Sequence, residues 1–172
     1  FTIVALVTLS LTALSQKQVS TKTHLKFFST TPAENIEANN YAAVSTIDTK
    51  SGDLVFSVPM QSFEFEKALM QEHFNSKKFL NTKENPKAKL VAKITNFEKI
   101  SFDKDGSYPI EVEGDLTING VTNAIKEKAS IVIKGGRINL MTKFNVTLAD
   151  YKVAFKSGKP STNIAKTVEV TV

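Results

Sequence analysis

The amino-acid sequence predicts an all-β fold, an antiparallel barrel or sandwich of about eight strands with one short helix. Three observations carry the prediction. Apolar residues recur at every second position through most of the chain, the mark of strands with one buried face. Asn119-Gly120 and Gly135-Gly136 stand between such runs as two-residue hairpin signals. A single stretch, residues 66–75, changes to helical spacing. With 172 residues and ordinary globular composition, the chain is long enough for one domain with a sizeable core. Closing the sheet would remove edges that otherwise invite aggregation. An eight-stranded barrel has an interior just wide enough for packed side chains or one small ligand.

At the N-terminus, residues 1–15 are apolar and uncharged, and too short and too rich in Thr and Ser for a secure membrane span. They read as the apolar part of a secretory signal peptide, with Ala13 and Ser15 as the small residues before cleavage at Gln16. The competing reading is a first strand or short core helix. The expected organisation is a signal-peptide remnant over 1–15 and one barrel domain over 16–172. A chain so organised works in the periplasm or outside the cell, without stable membrane insertion once the signal is removed.

Leu25 and Phe27 share one face of a first strand, and Ile36, Ala38, Ala42 and Val44 one face of a second. After a turn at Lys50, Ser51 and Gly52, a third strand carries Leu54, Phe56, Val58 and Met60 on one side. Phe63 and Phe65 lead into the helix, where Leu69, Met70, His73 and Phe74 share a face that can cover a barrel end. A polar loop then returns, with Phe79 and Leu80 tucked beneath it. The fourth strand has Ala88, Leu90, Ala92 and Ile94 on one face and Lys87, Lys89 and Lys93 on the other. A fifth, after a turn at 103–106, has Ile110, Val112, Leu116 and Ile118 opposite Glu111, Glu113 and Asp115. Ile125, Ala129, Ile131 and Ile133 mark the sixth. Ile138, Leu140, Phe144, Val146 and Leu148 mark the seventh. Ile164, Val168, Val170 and Val172 mark the last.

The inward phase supplies the candidate wall of a ligand cavity. From the strands it takes Phe27, Phe56, Val58, Ala92, Ile94, Ile118, Ile131, Ile133, Leu140 and Phe144. Leu69 and Phe74 from the helix and Phe79 from the loop close one end. Ala42, Ala92 and Ala129 are small inward residues that can leave room for a guest. Glu127 shares the inward phase of the sixth strand. A buried carboxylate without a partner is costly, so it either meets a polar head group near the barrel mouth or is turned outward by a β-bulge.

Composition narrows the chemistry. Twelve Phe against three Tyr and no Trp favour apolar lining without polar tips to satisfy. The absence of Cys excludes disulfides, thiolate metal sites and a Cys nucleophile. The net charge of +5 rests on Lys, with Arg137 the single Arg, which argues against sequence-specific nucleic-acid reading. His24 and His73 are too few to hold zinc unless carboxylates converge. His24 alternates with Lys22 and Lys26 and is expected in solvent. His73 is expected to bond a loop carbonyl or to meet a ligand head group. Glu111, Glu113 and Asp115 read as a solvated outer face opposite Lys rather than a calcium site. Asp103, Asp105 and Gly106 read as a turn, as do residues 157–160. No nucleophile elbow, phosphate loop or dinucleotide fingerprint is present in the sequence.

Two stretches carry a family resemblance. Residues 70–94, MQEHFNSKKFLNTKENPKAKLVAKI, run helix, aromatic, Pro turn, strand; residues 113–126, EGDLTINGVTNAIK, contain a Gly-x-Leu-Thr-Ile-x-Gly-Val-Thr-like signature. Both resemble the YceI-like family, and the order of elements is similar from about residue 19 to 172. Asn85-Pro86 departs from the commoner Tyr-Pro, and only His24 stands near the usual His-Ser strand start. The resemblance implies a lipocalin-like antiparallel barrel that binds without catalysis or cofactor, enclosing a polyisoprenoid chain in some members. The function expected is carriage or sequestration of an apolar, isoprenoid- or lipid-like small molecule, with no nucleic-acid partner. The rival readings are an enzyme of lipid or quinone chemistry using Glu127 or His73, and a structural barrel with a filled core.

Overall fold

The computed structural model describes residues 17–32, 34–153 and 165–172. The expected signal segment with its cleavage at Gln16, the turn at 157–160 and Ile164 lie outside the described residues. Lys17–Thr30 (β1) and Asn35–Asp48 (β2) form a long antiparallel hairpin. Asp53–Pro59 (β3) pairs with the second half of β2, and Phe63–Phe65 (β4) with its first half. The helix Ala68–Asn75 (α1) follows. Lys87–Ile94 (β5), Gly106–Ile118 (β6), Val121–Lys134 (β7) and Arg137–Thr147 (β8) make an antiparallel meander. Thr167–Thr171 (β9) then pairs with β8 on one side and β1 on the other. With β3 also paired to β5, the ring closes as β1-β9-β8-β7-β6-β5-β3-β2 and back to β1. The molecule is a closed antiparallel barrel of eight strands, with β4 a short extension along β2.

The two hairpin signals hold. Asn119 (φ 51°) with Gly120 (φ 72°), and Gly135 (φ 54°) with Gly136 (φ 73°), take the left-handed conformation that a two-residue primed turn requires at both positions. Asp105 does not stand free in its turn: its Oδ1 accepts the Gly135 N–H at 2.9 Å, pinning the second hairpin. On the outer face of β6, Glu113 pairs with Lys126 directly across the strand, as the alternation implied.

The first two strands depart from simple alternation. Register slips between Ser20 and Thr23 and again between Thr23 and Leu25, so Thr23 faces Ala43 while Leu25 faces Asn40. The second slip places an extra residue in β2, a β-bulge. Ala38 and Ala43 are therefore fully buried, whereas Ala42 and Val44, expected inside, are exposed. Asn40 holds this bulge. It is fully buried, its Nδ2 donates to the Pro59 carbonyl at 2.8 Å, and its Oδ1 accepts the Ala42 N–H at 2.9 Å. Pro59 ends β3, because it has no N–H to continue the ladder. A 3-10 turn at Met60–Ser62 then offsets the chain before β4 resumes along β2.

The interior has two levels. Ile94, Ile110, Ile131 and Ile133, each at most 2% exposed, pack with Leu54, Ala92 and Val112 and fill the end nearest the Gly135-Gly136 turn. At Gly114 a Cβ would collide with the Val91 carbonyl and with Ala92, so β5 and β6 cross there with no room to spare. At the other end, Phe27, Phe63, Phe65, Phe74 and Phe79 gather below α1, with Phe74 in contact with the other four at centroid distances of 5.0 to 6.3 Å.

Candidate functional site

Between the filled level and the aromatic cluster lies a cavity of about 650 Å³. Packed protein interiors leave few voids larger than one water, and small-molecule pockets occupy roughly 300–1,000 Å³. The volume therefore belongs to a binding chamber, not to imperfect packing. Its side walls come from the inward phase of the barrel, among them Leu25, Val58, Leu116, Ile125, Val146 and Val170. The floor is the upper surface of the filled level, Leu54, Val112, Ala129 and Leu140. Met70 and Phe74 of α1 close the far end, one helical turn apart on the same ridge.

The roof is fastened by side-chain hydrogen bonds. Thr82 Oγ1 donates to Asn75 Oδ1 at 2.8 Å, tying the loop after α1 to the helix terminus. Asn85 Nδ2 donates to Asn119 Oδ1 at 3.1 Å, and Asn119 Nδ2 donates to the Tyr151 carbonyl at 3.1 Å. The loop, the β6–β7 turn and the 3-10 segment Leu148–Tyr151 are thus joined around one rim of the chamber.

Besides Ser29, Lys89 and Thr142, the polar side chains lining the chamber lie at two depths. Glu34, His73, Ser76 and Lys78 lie at the helix-covered end. Glu127 lies deeper, opposite Val112 of the filled level. The β6–β7 register is unbroken from Gly106–Ile133 to Ile118–Val121, so no bulge rotates Glu127 outward. Burial pushes its carboxyl above the ordinary carboxylate range. Tyr151 is buried, and that burial likewise raises its phenol, against the opposing effect of a hydrogen bond with Asn123. Among the described residues no group of His, Asp and Glu is arranged to hold a metal ion.

Comparison with known proteins decides the family. The YceI-like domain matches residues 11–172. The chain belongs to the YceI-like family. A UPF0312 protein of Pectobacterium carotovorum subsp. carotovorum is 26% identical over 141 residues, covering 77% of this chain and 69% of that protein. A polyisoprenoid binding domain from Saccharophagus degradans, implicated in plant cell wall breakdown, shares the fold with a TM-score of 0.75 at 13% identity, over 91% of this chain and 94% of that one. Burkholderia cenocepacia BcnA is similar in fold, with a TM-score of 0.74 at 16% identity over 90% and 96% of the two chains. The Campylobacter jejuni YCEI protein shares it with a TM-score of 0.58 at 19% identity, over 100% of this chain and 87% of that one.

Within the YceI-like barrel, Phe27, Phe56, Val58, Phe74, Phe79, Ile118, Glu127, Leu140 and Phe144 all line the chamber, as the inward phase implied. Five other candidates sit elsewhere. Ala92, Ile94, Ile131 and Ile133 point inward but belong to the filled level below the floor. Alternation reports which face a residue takes, not its depth along the barrel axis. Leu69 is 59% exposed, because so short a helix rests on the Met70–Phe74 ridge and turns its neighbouring position outward. His73 is exposed yet borders the chamber. Its backbone carbonyl accepts from Ser76, while its ring makes no hydrogen bond among the described residues. His24 is on the outer surface as expected, stacked on Tyr41 at 4.6 Å, with Nε2 2.8 Å from Asn39 Oδ1. Met60, Phe63, Phe65, Tyr151 and Val153 line the chamber without having been picked out for it. The Phe-Glu-Phe alternation at 63–65 was a usable signal. The 3-10 segment that carries Tyr151 has no periodicity to read.

Proposed function

We propose that this YceI-like barrel carries or sequesters an apolar, isoprenoid- or lipid-like small molecule in the chamber below α1, and does so without catalysis. The observation that carries this reading is the chamber itself: about 650 Å³ walled by Phe and branched aliphatic side chains. Removing apolar ligand surface from water there contributes about 25 cal/mol per Å². That term is enough to drive binding without covalent chemistry. The fold shared with a polyisoprenoid binding domain supports an elongated hydrocarbon guest. The two residues a lipid-modifying enzyme would enlist, His73 and Glu127, border the chamber at different levels. No hydrogen bond joins them among the described residues.

The working site is proposed to be periplasmic or extracellular, with residues 1–15 acting as the secretory leader. Among the described residues no helix is long and apolar enough to cross a membrane. Binding is tested with the neutral fluorophore N-phenylnaphthylamine, displaced by geranylgeraniol. Saturable fluorescence with one site per chain, abolished by filling the chamber, is the expected result. Fluorescence that persists unchanged in a filled-chamber variant would refute it.

A further inference from the structure

Glu127 is out of keeping with its surroundings. Its in-phase neighbours Ile125 and Ala129 line the same chamber, and Val112 opposite is buried. Its out-of-phase neighbours Lys126 and Lys128 are exposed outside, where Lys126 is already engaged by Glu113. Lys78 and Lys89 are the cations that border the chamber among the described residues, and neither pairs with Glu127. The carboxylate thus faces a largely apolar space and accepts no hydrogen bond among the described residues; the Thr142 hydroxyl, which also lines the chamber, donates instead to the Lys128 carbonyl at 2.8 Å. The carboxylate is half-buried rather than sealed off; an apolar guest packed against it would leave the acceptor unsatisfied, which is costly, and a guest that brings a donor avoids that cost.

Resting on the carrier reading, we propose that Glu127 selects a guest whose head group is a hydrogen-bond donor, a hydroxyl or a protonated amine, and excludes anionic heads. The guest enters head first. Glu127 lies beside the floor, so the donor sits deep and the hydrocarbon runs back toward the aromatic cluster around Phe74. Burial lifts the Glu127 carboxyl above its ordinary range, consistent with a site that lacks a partner until the guest arrives. A phosphate or carboxylate head at that depth would meet a like charge in a low-dielectric wall, a repulsion that discriminates without any added contact.

The test uses the full barrel and four probes of one chain length: hexadecane, hexadecanol, hexadecylamine and hexadecanoate. Affinities are read by displacement of N-phenylnaphthylamine from wild type, Glu127→Gln and Glu127→Leu, each checked for fold by circular dichroism. Wild type is expected to bind hexadecanol or hexadecylamine at least about tenfold more tightly than hexadecanoate. Glu127→Leu should erase that preference, chiefly by admitting hexadecanoate, and Glu127→Gln should keep the alcohol while losing the amine. If hexadecane and all three headed probes bind wild type alike, the head assignment falls and the carrier reading stands. Hexadecanoate bound more tightly, with that gain lost in Lys78→Ala, would place the head at the helix end and overturn the proposal. If no probe enters, hexadecane included, both readings fall.

Discussion

Replacing Ala129 by Phe adds a ring to the floor of the chamber, and replacing Ala92 by Phe adds the same ring to the filled level beneath it. Both alanines are inward in the middle of the sheet, on β5 and β7, which flank β6, so local propensity changes equally. The consequences should not. A buried phenylalanine removes about 150–250 Å² from water. If half of that is covered at position 129, the gain at 25 cal/mol per Å² is roughly 2–3 kcal/mol. Ordering the side chain and losing open space for rotamers offsets roughly 1 kcal/mol or more. The net for Ala129→Phe is between about zero and 2 kcal/mol in favour of the folded barrel, a melting temperature unchanged or raised by up to about 8 °C. Ala92 is only 7% exposed, with Ile94, Ile110 and Ile131 packed around it and no room even for a Cβ at Gly114. Overpacking there costs about 3 kcal/mol or more, which lowers the melting temperature by about 6–12 °C in a chain of this length. Calorimetry after delipidation measures both, and organic extraction of each preparation before delipidation measures retained ligand. Ala129→Phe should melt at or above wild type and lose its guest. An equal, large drop in both variants would refute the division of the interior into a filled level and an open one.

Other perturbations probe other parts of the account. Phe74→Ala removes the ring that joins four others under α1, and should cost about 3–5 kcal/mol by denaturant unfolding. A loss under 1 kcal/mol would mean the aromatic cluster does not hold the helix in place. Gly114→Ala drives a Cβ into the Val91 backbone, and should destabilise by about 3 kcal/mol or prevent folding, whereas a neutral result would contradict the close crossing of β5 and β6. Because the folded carboxyl of Glu127 sits above its unfolded value, the native state holds the proton longer. Stability linked to this group is therefore full at acid pH and declines as pH rises from the ordinary carboxylate range through the raised one. Glu127→Gln should gain melting temperature relative to wild type above that window and lose the advantage below it; a difference independent of pH would contradict the burial of the carboxyl.

How much of this was legible in the residues depended on where the chain keeps a strict two-residue period. From Gly106 to Lys134 the register never slips, so every apolar residue expected inward there does face inward, and Glu127, left open between a head-group contact and an outward bulge, lines the chamber. The Asn-Gly and Gly-Gly turns were readable because few residue pairs tolerate two successive positive φ values. The β1–β2 hairpin was not readable in the same way. Its phase is set by Asn40, a polar residue whose burial depends on the Pro59 carbonyl and the Ala42 amide finding it, contacts that no alternation pattern encodes. The chamber's boundary was equally hidden. Ile131 and Ala129 are neighbours in one inward phase, yet one belongs to the filled level and the other borders the open space. The difference arises from how the strands pack across the closed ring, with β5 and β6 in closest approach at Gly114 and Ala92, and not from the pattern of any one strand.

What the chamber holds in the protein as it is made decides whether the barrel is a carrier. Native mass spectrometry of barrel isolated without detergent, followed by organic extraction of the same sample, measures this. The prediction is a single apolar adduct per chain, released into the organic phase and absent from Ala129→Phe. A wild-type barrel that arrives at its bare polypeptide mass, and takes up neither geranylgeraniol nor hexadecanol when they are offered, would contradict the central claim.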